Sequence, residues 1–341
     1  MRQLTLICVL WSLGAIVACG EASDAGSSTD VAVSDIADVS PDTDASPGDL
    51  GTAPEDGLPA TDAGVVEDMS HHDADLPQDA SPVGFAVGEV PADEPDFAPY
   101  FDKHVAVFGL NIFGTAGVPD EDMLHAAAVL AQYLDNDEDG AADDPTILSA
   151  LQGASGGPAS MVMFATEWEI ESSGIFDSNL GARALQDLYA TETHPQGSSP
   201  GHGFDATLEE VLHLVTHHGW AKAYPADFAE ELGSTLANAM DIARGGQFIQ
   251  IPDVYPDAAW YHYDDETCSY GCMATEYLYW ALTSLLGGQM YPGRCQEIDH
   301  EWELCTPEAV QEQDTAITAL LQDSGYVLPT VLPDGSYEPA P

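Results

Sequence analysis

The sequence predicts an α+β fold: a mostly helical single domain with a small β-sheet near its start, preceded by a disordered acidic stalk. Three observations predict it. Two β-branched and aromatic runs, KHVAVFGLNIF at 103–113 and ASMVMFA at 159–165, read as early strands. The segments after them place apolar residues three and four apart between helix start and stop signals. The stretch 20–96, before the first strand, carries no Lys or Arg and is dominated by Asp, Ala, Ser, Pro, Gly and Thr, so it cannot bury enough apolar surface to offset its conformational entropy.

The folded domain is therefore expected over 97–332, with a tail over 333–341. After the first strand, Pro119, Asp120 and Glu121 suit the start of a helix running to Leu134, with Leu124, Ala127, Ala128 and Ala131 as its apolar stripe. An acidic loop, a short helix at 146–151 and a turn at 153–158 lead to the second strand. A helix is expected at 179–191. The loop HPQGSSPGHG at 194–203 delivers the chain into a helix at 207–219. One long helix is expected at 225–244, stopped by Gly245 and Gly246. Helices at 272–286 and 307–322 complete the domain.

The chain has 341 residues and a formal net charge of −53, with 59 acidic side chains against 6 basic ones. That field repels nucleic acid and anionic lipid and favours cations as partners. At the N-terminus, Arg2 precedes an apolar run to Val17 that is too short for a mature span. Ile16-Val17-Ala18-Cys19 resembles the lipobox of bacterial lipoproteins. The resemblance implies a signal peptide over 1–18, lipidation of Cys19, and a protein tethered by that lipid to the membrane on the periplasmic or cell-surface side of the cell envelope, lifted off it by the 19–96 linker. His71 and His72 within the linker read as solvated.

Cys268, Cys272, Cys295 and Cys305 form a C-terminal cluster. In an exported chain an even number of cysteines reads as two disulfides, with three connectivities open. A four-cysteine zinc site is the alternative.

Two stretches carry metal chemistry. DNDEDGAAD at 135–143 sets Asp135, Asp137, Asp139 and Asp143 at relative positions 1, 3, 5 and 9, with Gly140 at 6. It resembles an EF-hand or dockerin-type calcium loop over those nine residues, which implies Ca²⁺ held by the four aspartates. Position 12 is Thr146 rather than the usual Glu.

TLEEVLHLVTHHG at 207–219 puts Glu210, His213 and His217 within roughly 60° of one another on a helix. His213 and His217, four apart, are similar to the zinc-binding pair of zincin metallopeptidases, and the layout resembles a degenerate gluzincin. The resemblance implies Zn²⁺ on His213, His217 and a third ligand from a later helix. Glu276 is expected there, because a carboxylate among Tyr277, Leu278, Tyr279, Trp280 and Leu282 needs a cation or hydrogen bonds. Leu214 stands where zincins carry their general base, so Glu210 is expected in that role, with Glu209 as second choice. His262, His218 and His202 are further candidates. A third reading pairs Glu210-x-x-His213 with Glu297-x-x-His300, the units of di-iron carboxylate bundles.

The function expected from these features is that of a membrane-tethered metal-binding protein outside the cytoplasm, a zinc-dependent peptidase or related hydrolase with a structural calcium, acting on a peptide or surface polymer. A non-catalytic, calcium-stabilised adhesion lipoprotein is the alternative.

Overall fold

A computed structural model describes residues 84–339. The expected signal peptide, Cys19 and the expected linker up to residue 83 lie outside the described residues, whereas 84–96, expected as the end of that linker, packs on the domain, with Gly88 bridging His104 and Glu94 paired with Arg183.

Where one first strand is expected, the chain makes two. β1 (Lys103–Val107) and β2 (Leu110–Gly114) form an antiparallel hairpin. Its two connecting residues, Phe108 and Gly109, both have positive φ, 49° and 78°, the turn whose twist matches that of the strands it joins. β3 (Ser160–Phe164) adds parallel to β2, and β4 (Leu185–Tyr189) parallel to β3, in the order β1-β2-β3-β4. β4 replaces the helix expected at 179–191, of which a single 3₁₀ turn, Asn179–Ala182, remains. Pairing with β3 and burial of Leu185, Leu188 and Tyr189 override local helix propensity.

Alternation along the strands splits the core. Ile112, Met161, Met163 and Leu188 face the main core, which most helices share, whereas Phe113, Val162, Phe164 and Leu185 face a smaller cluster with Phe97 and Phe101.

The helices are α1 (Asp120–Leu134), α2 (Pro145–Gln152), α3 (Glu167–Ser173), α4 (Thr207–Val215), α5 (Ala221–Ala223), α6 (Pro225–Phe228), α7 (Thr235–Ala243), α8 (Tyr270–Leu285), α9 (Arg294–Ile298), α10 (Pro307–Gln313) and α11 (Thr315–Leu321). Two expected long helices are broken, each at a residue that caps the next helix. At 225–244 the Ser234 side chain accepts from Ala237 N and starts α7. At 307–322 Asp314 accepts from Ile317 N to start α11, and its carboxylate also takes the Trp260 indole at 2.8 Å and the Tyr277 hydroxyl at 2.6 Å. A buried polar hub thus outweighs helix continuity.

Disulfides join Cys268 to Cys272 and Cys295 to Cys305. Among the described residues no helix is long and apolar enough to cross a membrane. The expected tail is not loose over its described part. Asn136 Oδ1 accepts from Thr330 N and Val331 N at 2.9 Å, Gln132 Oε1 from Asp334 N and Gly335 N, and Asp135 from the Tyr337 hydroxyl at 2.5 Å.

Candidate metal centre

α4 is set by Asp205, just ahead of it. The Asp205 carboxylate accepts from Thr207 N and from His194 N, and pairs with His125 Nε2 of α1 at 2.6 Å. α4 then packs between α1, β4 and α8. Its faces follow from helical spacing: Glu209 and His213, four apart, share one side, and there they meet Glu276 of α8. The three residues are 5 %, 4 % and 2 % exposed, and one donor atom from each lies within 4.8 Å of the others.

The spacing within this group is not that of hydrogen bonds. His213 Nε2 stands 3.6 Å from Glu276 Oε2, and Nε2 is fully buried with no hydrogen-bond partner. Two ligand atoms bound to one tetrahedral ion, each about 2.0–2.1 Å from it, would be about 3.4 Å apart. An unsatisfied ring nitrogen beside two buried carboxylates fits a divalent cation between them.

Further acids surround the group. Glu210 Oε2 lies 3.5 Å from His213 Nδ1 and accepts from Gln186 Nε2 at 2.6 Å. Asp187 takes the Tyr189 hydroxyl at 2.9 Å, and Glu192 takes Tyr189 N at 3.1 Å. Burial, reinforced by the charge of Glu210, pushes Glu209 up to about 8, against the pull of His213 and Arg294. Burial, then Glu210, does the same to Glu192, also to about 8. Glu210 is held well above the usual carboxylate range by burial and then by Asp187 and Glu276. Burial also raises Asp187. A divalent ion among these carboxylates would offset the crowding of their buried charge.

The structure brings His213 and Glu276 together, and Glu209 stands with them where His217 was expected. After Val215 the helix changes to a π turn, Thr216–Trp220, a wider winding than the α-helix assumed in placing His217. The His217 imidazole bonds through Nδ1 to Glu230, whose other oxygen takes the Thr275 hydroxyl at 2.7 Å. Glu210 sits on the Nδ1 side of the His213 ring, whereas Glu276 faces Nε2. Glu210 is therefore placed to orient the imidazole, as carboxylates behind metal-bound histidines do. The signal for Glu209 was present in the sequence: it is four residues before His213, as His217 is four after.

The remaining candidates lie elsewhere. His262 is 3.9 Å from Glu303, His202 bonds Ser199 in the loop ahead of α4, and His218 lies beside His217 in the π turn. Of the second Glu-x-x-His unit, Glu297 meets Arg294 at 3.3 Å and the His300 side chain is 61 % exposed.

In the acidic loop, carboxylate oxygens of Asp135, Asp137 and Asp143 lie within 4.8 Å of one another. Gly140, at φ 90°, makes the turn. Asp139 is turned to its own backbone and accepts from Ala141 N at 2.9 Å. Asp135, fully buried, accepts from Asp139 N and Gly140 N, and Asp143 from Asn136 N. Burial, then the neighbouring aspartates, raise Asp143.

No protein-family model, no curated protein and no solved structure matches this chain.

Proposed function

We propose that the protein binds metal outside the cytoplasm, tethered to a membrane through Cys19, with one divalent ion of the zinc type on Glu209, His213 and Glu276 and a structural calcium in the 135–143 loop. The observation that carries the first site is the buried His213 Nε2, without a hydrogen-bond partner and 3.6 Å from a buried carboxylate. One imidazole and two carboxylates suit a borderline divalent ion such as zinc, since soft ions favour all-thiolate sites and hard ones all-oxygen sites.

A second reading, a zinc-dependent hydrolase acting on a peptide or surface polymer, is favoured by the ligand count. Three protein ligands leave a tetrahedral ion one position for water. In that reading Glu210 orients His213 rather than serving as the base.

Metal content after purification without chelator tests the proposal. The expected result is about one zinc per chain together with calcium, with zinc but not calcium lost in His213→Ala. Calcium alone would overturn the zinc site.

A further inference from the structure

The two elements that carry the zinc-type group are tied to each other a second time, beside it. Glu230 lies in the connection between α6 and α7, and its side chain is 9 % exposed. Its Oε1 takes the Thr275 hydroxyl at 2.7 Å, and its Oε2 takes the His217 ring at Nδ1. Thr275 is the residue before Glu276 on α8. His217 lies in the π turn that continues α4, four residues past His213. Each oxygen of one carboxylate therefore holds an element that supplies a metal ligand.

The backbone is shaped for this approach. A Cβ on Gly271, four residues before Thr275 and on the same face of α8, would meet the Glu230 carbonyl oxygen at 3.1 Å and the Glu230 Cβ at 3.6 Å. Glycine there lets residue 230 lie against the helix. The carboxylate accepts, so the Thr275 hydroxyl and the His217 Nδ1–H both donate. Removing either donor costs a nearly buried oxygen its hydrogen bond. The metal group itself has no such tie at His213 Nε2, which makes no hydrogen bond and stands 3.6 Å from Glu276 Oε2. That separation is set by where the two elements are held rather than by a bond between the ligands. An ion at about 2.0–2.1 Å from each ligand tolerates little change in it.

We infer that Glu230 is a positioning residue for the metal: by tying the continuation of α4 to α8 it fixes the spacing of His213 and Glu276, and with it the affinity of the group and the size of ion it accepts. Supporting partners behind metal ligands are worth about 10- to 100-fold in metal affinity. The inference rests on the zinc-type site proposed above.

The decisive variant is Thr275→Val, which nearly keeps the side-chain shape, removes one arm of the tie and takes away none of the three proposed ligands. Glu230→Ala removes both arms. Glu230→Gln can keep both, its amide oxygen accepting from Thr275 and its N–H donating to Nδ1 of the other His217 tautomer. The full chain, stripped with chelator, is titrated with zinc, and separately with the larger cadmium ion, against a competing chromophoric chelator. Thr275→Val and Glu230→Ala are expected to weaken zinc binding about 10-fold or more and to narrow the preference for zinc over cadmium, while Glu230→Gln stays close to wild type. Adding Thr275→Val to Glu230→Ala should weaken zinc no further, since the tie is already gone. Thermal unfolding of the metal-free proteins serves as the fold control. If Glu230→Ala does not fold, Thr275→Val and Glu230→Gln decide. Wild-type zinc affinity and an unchanged zinc-to-cadmium preference in Thr275→Val would overturn the inference while leaving the zinc site standing, as would additive losses in the double variant. A wild-type chain that binds no zinc would sink both.

Discussion

His213 Nε2 and Glu276 Oε2 face each other across 3.6 Å with no hydrogen bond between them, a separation that leaves the ring nitrogen without a hydrogen-bond partner and is short enough for the two atoms to share an ion. A structural ion pair and a pair of metal ligands respond oppositely to neutralisation. Glu276→Gln removes one of several crowded carboxylates, so the metal-free variant is expected to be more stable than wild type, by about 1 kcal/mol. Zinc should stabilise it less. At an ion concentration 100 times Kd, wild type gains about 2.7 kcal/mol. Thermal unfolding with and without zinc reads both effects, and a destabilised metal-free Glu276→Gln would point to an ion pair instead.

Asp122, in the first turn of α1 and 5 % exposed, is pushed up from 3.8 to about 6, by burial first and then by Glu121. The folded protein therefore holds this proton more tightly than the unfolded chain. The stability it contributes is fully present below pH 3.8 and is lost as pH rises through about 6. Asp122→Asn should equal wild type at the acid end and exceed it above pH 6 by about 2–3 kcal/mol. Chemical unfolding at a series of pH values gives the difference directly, and an advantage that does not grow between these limits would refute the assignment.

The calcium loop predicts a difference between two aspartates that look equivalent in sequence. Both accept from a backbone N–H two residues on, but Asp137 also belongs to the cluster with Asp135 and Asp143, whereas Asp139 lies outside it. Asp137→Ala should abolish most of the calcium-induced rise in unfolding temperature. Asp139→Ala should leave most of it and cost about 1 kcal/mol without calcium, through the lost turn bond.

How much of this was legible in the sequence depends on which force decided each residue. α1, α2 and α8 lie close to where the sequence places them, α1 through its apolar stripe and the latter two starting at the side-chain caps Asp144 and Ser269. Glu276 was legible because a carboxylate amid aromatic residues has no solvated explanation. β4 was not, since LQDLY is strand only by virtue of lying beside β3. Nor was the release of His217 from the ligand face, which needs both a π turn and Glu230, a residue 13 positions on. Asp314 reads as an ordinary helical residue until Trp260 and Tyr277 are seen to converge on it.

Gly335 is a site where a methyl group should be costly. Its φ is +77°, and a Cβ there would come within 2.1 Å of His125 Nδ1, the histidine that anchors Asp205 ahead of α4. Gly335→Ala is expected to destabilise the protein by about 2–4 kcal/mol and to expose the 330–338 segment to proteolysis. An unfolding midpoint equal to wild type would show that the segment does not bear on α1.

The fastening of that segment has a consequence for time. Asn136 receives Val331 across 195 positions and Asp135 receives Tyr337 across 202. At a synthesis rate of about 5–20 residues per second, that separation is roughly 10–40 s of waiting. α1, the first helix of the described region to leave the ribosome, is among the last to be finished. Until residue 330 has emerged, the acidic loop stays open to water on the side that the strap will close.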